Sequence, residues 1–354
     1  MKMKENQTMP DAVVYEKIVE PLLSWYDKNA RQLPWRQDRE PYHVWLSEIM
    51  LQQTRVEAVK GYYTRFLDAL PTIEALAAVP DDTLMKLWEG LGYYNRARNL
   101  KKAAQVIVNE YNGIFPTTYE EVLALPGIGA YTAGAICSIC YGQGTPAVDG
   151  NVLRVMSRIS LDYEAIEKPA MKKRVTKYLE LVYPKQGIQS GKFTQSLMEL
   201  GAMVCIPGGT PKCEICPVKH VCHACQDESW KELPVRLPKA KRKVEEKTVF
   251  YLTCKNQVAV GKRQEQGLLA GMWELPNVEG RLSLEEALRQ VAKWQCQPKN
   301  ILQKRTKKHI FTHIEWHMEC YYIECSVPSP QFTWISMEEM TKNIPLPTAF
   351  KQFL

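Results

Sequence analysis

No stretch of these 354 residues approaches the roughly twenty consecutive apolar positions that a membrane-spanning helix needs. Residues Met1 to Asp11 are polar and charged with no apolar run behind them, so no secretory signal peptide is expected. There is no internal repeat and no low-complexity tract, which argues against solenoid and fibrous architectures. Charge of one sign does not dominate either. Lys and Arg number 46 against 39 Asp and Glu, a net +7 that favours a polyanionic partner without naming one. With 45% hydrophobic and 24% charged residues the composition is that of an ordinary globular protein. The expectation is a cytoplasmic chain in a reducing compartment, and its length favours two domains over one.

Cysteine is present, and unevenly. Five fall between 205 and 225 with the pattern Cys-x7-Cys-x2-Cys-x5-Cys-x2-Cys: Cys205, Cys213, Cys216, Cys222 and Cys225. The intervening residues are rich in Pro and Gly (Pro207, Gly208, Gly209, Pro211, Pro217), so this is a loop. Short spacings in a chain with no export signal point to metal or cluster ligation rather than disulfides. Cys213, Cys216, Cys222 and Cys225 would make a compact zinc site, with His220 or His223 as spare ligands. Cys137 and Cys140, inside an apolar run, read as buried thiols, and Cys254, Cys296, Cys320 and Cys325 as structural.

From about 11 to 205 the apolar residues recur at helical spacing. Examples are Tyr15, Ile18, Val19, Leu22, and Leu100, Ala103, Ala104, Ile107. Gly and Pro punctuate between the stripes, which predicts ten or so short helices. Residues 234–247 are basic and read as a linker. Beyond them come strand-like runs at Thr248 to Cys254, Gln257 to Arg263, Ile310 to Cys325 and Phe332 to Met337, with one helix at about Ser283 to Trp294. The expected architecture is a mainly α domain over 8–233, the linker, and a smaller α+β domain over 248–354.

Three features carry chemistry. Leu125-Pro126-Gly127-Ile128-Gly129 joins two helical stripes, and its glycines permit positive φ and close backbone approach. The helix that follows would offer free N–H groups to a phosphate oxygen, although a plain helix connection has the same pattern. Eighteen residues after Tyr131, Asp149 opens another helix, where an Asp is usually a cap. Glu48 lies inside the apolar segment Val44 to Leu51. Such a Glu often sits on a wet helix face, yet a desolvated carboxyl is held protonated near neutrality. One protonated acid and one ionised carboxylate is the pair that breaks a glycosidic bond.

These residues resemble the helix-hairpin-helix DNA glycosylases of the endonuclease III superfamily, and within it the MutY-type adenine DNA glycosylases. The resemblance covers nearly the whole chain. It is carried by the Gly127–Gly129 hairpin, Leu33-Pro34-Trp35-Arg36, Ser47 to Val56, Trp88 to Tyr94, Val148-Asp149-Gly150-Asn151, the cysteine loop and Gly267 to Glu274. It implies removal of adenine mispaired with 8-oxoguanine or guanine in double-stranded DNA, after the base is flipped out. Glu48 matches the general acid and Asp149 the carboxylate that stabilises the sugar cation, with Tyr131 and Asn151 orienting them. Tyr131 stands where bifunctional relatives carry a Schiff-base lysine, so base excision without a strong lyase step is expected. A bifunctional glycosylase/lyase and a non-catalytic metal-containing DNA-binding protein are the alternatives.

The resemblance further implies one 4Fe–4S cluster on Cys205, Cys213, Cys216 and Cys222, although the family's first gap is one residue shorter. Gln53 and Tyr93 match residues that wedge into the duplex. Thr54 and the Leu91 backbone match contacts near 8-oxoguanine. Gly127 and Gly129 match the DNA-binding hairpin, and Arg36 serves the active-site wall or a phosphate. Residues 248–354 resemble a Nudix fold without the Arg-Glu…Glu-Glu helix of a working pyrophosphatase. Its turn Phe311-Thr312-His313 matches one that reads 8-oxoguanine. No membrane contact is expected, and the default is a monomer, nucleoid-associated if the source is bacterial.

Overall fold

The computed structural model describes residues 12–185, 187–238 and 240–354. The chain forms two compact units: the residues up to Ala78 together with Asn99–Pro238, and Val79–Arg98 together with the chain after Pro238. Among the described residues, eleven α-helices lie between Ala12 and Glu199. No described helix is long and apolar enough to cross a membrane.

The first unit is helical because its apolar residues repeat every three to four positions, and side-chain caps, prolines or glycines mark several of the helix ends. Pro41 occupies the first turn of Pro41–Leu51, where its missing N–H removes no bond. Tyr119–Ala124 starts with a capping box between Thr118 and Glu121. Ala130–Tyr141 stops at Gly142, in the left-handed region that suits glycine. A core of Ile18, Leu22, Val152, Met156, Met171, Val175, Phe193 and Leu197 ties the first helix to the three after residue 150.

The second unit is a mixed sheet of β1 (Lys243–Cys254), β2 (Gln257–Lys262), β3 (Trp273–Glu274), β4 (Asn277–Glu279), β5 (Gln297–Ile310), β6 (Ile314–Val327) and β7 (Thr333–Ser336). The order is β3-β2-β1-β6-β5, with β4 on β1 and β7 on β2. Only β1 and β6 run parallel among these pairs. Val249, Trp316, Met318 and Cys320 pack on one face with Met340 and Phe350. Phe250, Leu252, Tyr321 and Ile323 pack on the other with Ala287 and Val291 of helix Leu284–Lys293. β5 is an edge strand, exposed along almost its whole length.

Sequence periodicity missed three features. β5 has no alternation of apolar and polar residues to announce it. Part of the basic stretch 234–247 has fixed partners: Val235 O accepts from Ile166 N (3.1 Å), and β1 begins at Lys243. Val79–Arg98 belongs with the sheet unit: Lys262 pairs with Asp82 (3.0 Å), Lys86 donates to Ile344 O (3.1 Å), and Glu89 accepts from Leu346 N (3.2 Å).

The cysteine loop requires a correction. It is built of short turns, Cys213–Ile215 and Lys219–Val221, followed by His223–Gln226, around a cavity of about 30 Å³. Among the described residues, no three or more His, Cys, Asp or Glu side chains are grouped so that they could hold a metal ion. The expected 4Fe–4S cluster on Cys205, Cys213, Cys216 and Cys222 is therefore not supported, nor is the zinc set. The thiols instead take protein partners. Cys205 Sγ accepts from Arg158 (3.3 Å), Cys222 Sγ donates to the Arg158 carbonyl (3.6 Å), and Cys213 hydrogen-bonds Cys225.

Candidate active site

Glu48 enters the site on helix Pro41–Leu51, whose residues Val44 to Met50 are all buried. It is only 5% exposed and has no ion-pair partner among the described residues. Burial pushes its carboxyl up to about 7, and the nearby Asp149 charge adds to this. The Tyr131 hydroxyl, hydrogen-bonded to it, and Arg36 pull the other way. The group is thus poised to give or take a proton near neutrality.

Tyr131 arrives by the hairpin. Gly127 sits at φ +76°, and a Cβ there would lie 2.5 Å from Asn99 Cβ, so the turn needs glycine on both counts. Gly129 has φ −102° and caps Ala130–Tyr141 with no side chain. Its role is not positive φ: a Cβ there would meet open space, which leaves the first N–H groups of the helix approachable. Tyr131 follows one residue into that helix, and burial holds its phenol well above the usual range.

Asp149 is a helix cap and something more. Its Oδ1 accepts from Asn151 N and Val152 N, both at 2.9 Å, and its Oδ2 accepts from Asn151 Nδ2 at 2.7 Å. Asn151 Oδ1 in turn accepts from Arg154 (3.0 Å). Arg154 is buried and also donates to Gly201 O (2.8 Å) and Cys205 O (3.0 Å). Glu48, Tyr131, Asp149 and Asn151 line one cavity of about 600 Å³, together with Arg36, Gln53, Thr54 and Gly129. That volume is in the range of small-molecule sites and is enough for a nucleoside. The two carboxylates, 101 residues apart in the sequence (149 − 48), share this space.

Leu91, Tyr93, Phe311, Thr312 and His313 belong to the second unit. There Tyr93 OH lies 2.9 Å from Thr312 Oγ1, so two residues 219 apart are brought together. Phe311 packs edge-on against Trp316 and His309, while Thr312 and His313 are exposed at the turn between β5 and β6. The Leu91 backbone is occupied: its N–H bonds Trp88 O (3.1 Å) and its carbonyl accepts from Arg96 (3.1 Å). Gln53 (φ +57°) and Tyr93 (φ +48°) are both exposed and both left-handed without being glycine. Such backbone strain concentrates at functional positions.

Residues 46–181 match the HhH-GPD superfamily of base excision DNA repair proteins, and residues 248–354 match the NUDIX domain. An adenine DNA glycosylase of Buchnera aphidicola subsp. Baizongia pistaciae is 35% identical over 322 residues, covering 89% of this chain and 87% of that one. The adenine DNA glycosylase of Rattus norvegicus is 33% identical over 400 residues, covering 94% and 76%. The chain belongs to the adenine DNA glycosylase family. A solved thermostable thymine-DNA glycosylase superposes on 61% of this glycosylase and 98% of itself, with a TM-score of 0.54 and 28% identity. An endonuclease III–DNA complex at 23% identity and a TM-score of 0.52 shares the fold.

Other residues of the glycosylase's cavity went unseen in the sequence. Glu199 is fully buried and receives Arg31 (2.8 and 2.7 Å) and Arg36 (2.8 Å). Burial alone would raise its carboxyl, but the two guanidiniums outweigh this and hold it low. Arg36 is thus committed to the wall. Gln195 and Lys172 also line the cavity. Glu199, Gln195 and Lys172 stand in no recognisable local motif, and Arg31, which pairs with Glu199, lies 168 residues away. In the NUDIX-matching region, Glu286 is engaged in a capping box with Ser283 and Glu285 pairs with Arg289 (2.7 Å).

Proposed function

We propose that this adenine DNA glycosylase excises adenine paired with 8-oxoguanine or guanine from duplex DNA, with Glu48 as acid and Asp149 as electrostatic partner. One observation carries the reading. Glu48, its carboxyl raised to about 7 by burial, faces the same cavity as an Asp149 that three donors hold in place. Glu48 gives its proton to N7 of the flipped adenine. The C1′–N9 bond breaks, its electrons pass to the purine, and adenine leaves neutral. The sugar is left as a cation, which the Asp149 carboxylate stabilises. Glu48 then accepts a proton from the water that adds to C1′, giving an abasic site. Tyr131 orients Glu48, and Asn151 orients Asp149.

In the same reading the helical domain catalyses and residues 248–354 read the base opposite adenine through Phe311, Thr312 and His313. Gln53 and Tyr93 wedge into the duplex, while Thr54, Leu91, Gly127 and Gly129 contact DNA. The protein acts as a monomer in the cytoplasm, which gel filtration checks for the oligomeric state. Against a lyase step stands Tyr131, which has no amine; Lys172 is the sole lysine among the described residues lining the cavity. The test is excision from a duplex bearing adenine opposite 8-oxoguanine, resolved on gels before and after alkali. Strand breaks after alkali alone are expected. Intact strands after alkali would refute excision, and efficient borohydride-trapped adducts would refute monofunctional chemistry.

A further inference from the structure

The edge strand β5 carries Lys299, Lys304, Arg305, Lys307 and Lys308. Its register on β6 sorts them onto two faces, because directly paired residues share a face and neighbours alternate. Lys304 sits opposite Tyr321 and Lys308 opposite His317. On that face β6 supplies Glu319 and Glu315, and Lys304 and Lys308 pair with them. Arg305 sits opposite Cys320, Lys307 opposite Met318 and His309 opposite Trp316. On this second face β6 offers Ile314, Trp316, Met318, Cys320 and Tyr322 beside Arg305 and Lys307; its carboxylate there, Glu324, lies further along, opposite Asn300, and is taken by Asn300 (2.8 Å) and Lys299 (3.4 Å). Arg305 accordingly lies over the Tyr322 ring (5.1 Å) and bonds Gln303 (3.1 Å). Lys307 has no ion-pair or hydrogen-bond partner among the described residues. The same face runs on through His309 to Phe311, ring to ring at 4.6 Å, and so to the exposed turn.

We propose that Arg305 and Lys307 bind backbone phosphates of the DNA strand whose base is read at the Phe311–His313 turn. This rests on the reading of that turn given above. Two cations about 7 Å apart on one strand face, unneutralised by carboxylates, form a short track beside the reading turn. Lysines on an edge strand also discourage sheet-to-sheet aggregation, but that role would not separate paired from unpaired cations by face. Neutralising phosphates releases counterions, so the contact is legible in the salt dependence of binding.

The experiment uses the full chain and a duplex pairing 8-oxoguanine with an adenosine whose 2′-fluorine blocks excision. Affinity is measured against KCl concentration. For Arg305→Ala/Lys307→Ala the slope of log affinity on log salt should fall by roughly 1.8, at about 0.9 per phosphate contact. Lys304→Ala/Lys308→Ala should lose less than half as much, and Lys307→Arg should keep the wild-type slope. Neutral methylphosphonates beside 8-oxoguanine should weaken wild-type binding yet cost the Arg305/Lys307 variant little more. An unchanged slope in that variant, or equal losses in both double variants, would overturn the proposal. Excision from the unmodified mispair is scored separately. Its failure would refute the proposed substrate, whereas the salt slope alone decides the phosphate contact.

Discussion

The two units place their polar chemistry at opposite depths. In the helical unit the decisive groups are buried: Glu48 is 5% exposed, Arg154 1% and Glu199 fully covered. In the sheet unit the candidate reading groups, Thr312, His313 and Lys307, stand exposed at a turn and an edge. The difference fits the tasks proposed for the two units. Moving a proton at neutral pH requires a carboxyl whose charge water no longer stabilises. Recognising a duplex requires donors that can reach it and shed their water late.

The comparison breaks most visibly at Asp149. Asp149→Asn keeps a good helix cap but removes the negative charge, so single-turnover excision should fall by at least ~10³-fold while mispair binding survives. Loss of binding as well would make Asp149 a cap and nothing else. Glu48→Gln should cost ~10²- to 10⁴-fold. In the native chain excision should decline as pH rises through about 7, where Glu48 loses its proton.

Stability gives a second reading of Glu48. Its folded value, about 7, lies above the unfolded 4.5, so the folded state holds the proton more tightly. Folding stability therefore drains away as pH climbs from about 4.5 through about 7. Glu48→Gln escapes this loss, and its melting temperature should gain on the native chain between pH 5 and pH 8. A constant gap would place Glu48 in water.

The hairpin gives a smaller effect. Gly127→Ala must fit a side chain at positive φ against Asn99 and should destabilise by ~1–3 kcal/mol. Gly129→Ala should fold normally and weaken DNA binding instead. Equal melting temperatures for the two would refute the division of labour. The smallest effect is expected at the surface. Thr312→Ala should reduce preference for 8-oxoguanine over guanine by roughly three- to tenfold, the scale of one hydrogen bond. Excision opposite guanine should be unchanged. Cutting the chain near Val235 is a blunter test, because Val79–Arg98, with Tyr93, stays behind without Lys239–Leu354, the rest of its unit.

Much of the site was legible along the chain. Glu48, Tyr131, Asp149 and Asn151 stand in short motifs, and the structure brings all four to one cavity. Arg31 and Glu199 were not, because they pair across 168 residues, and Arg154 was not, because two of its three acceptors, Gly201 O and Cys205 O, are distant in sequence. The cysteine loop shows the reverse failure. Its spacing resembled a ligand set, but spacing describes the chain and ligation depends on where the sulfur atoms point. Strand β5 escaped because an exposed edge lacks the one-sided burial that writes a period of two into a sequence.

The amino-acid order by itself determined the helices, the caps, the glycine hairpin and the family, since these depend on neighbours a few residues apart. Tertiary structure alone decided that Glu48 is dry, that Asp149 shares its cavity, and that Tyr93 meets Thr312. Desolvation and long-range contact are properties of a packed volume, and a one-dimensional pattern does not contain them.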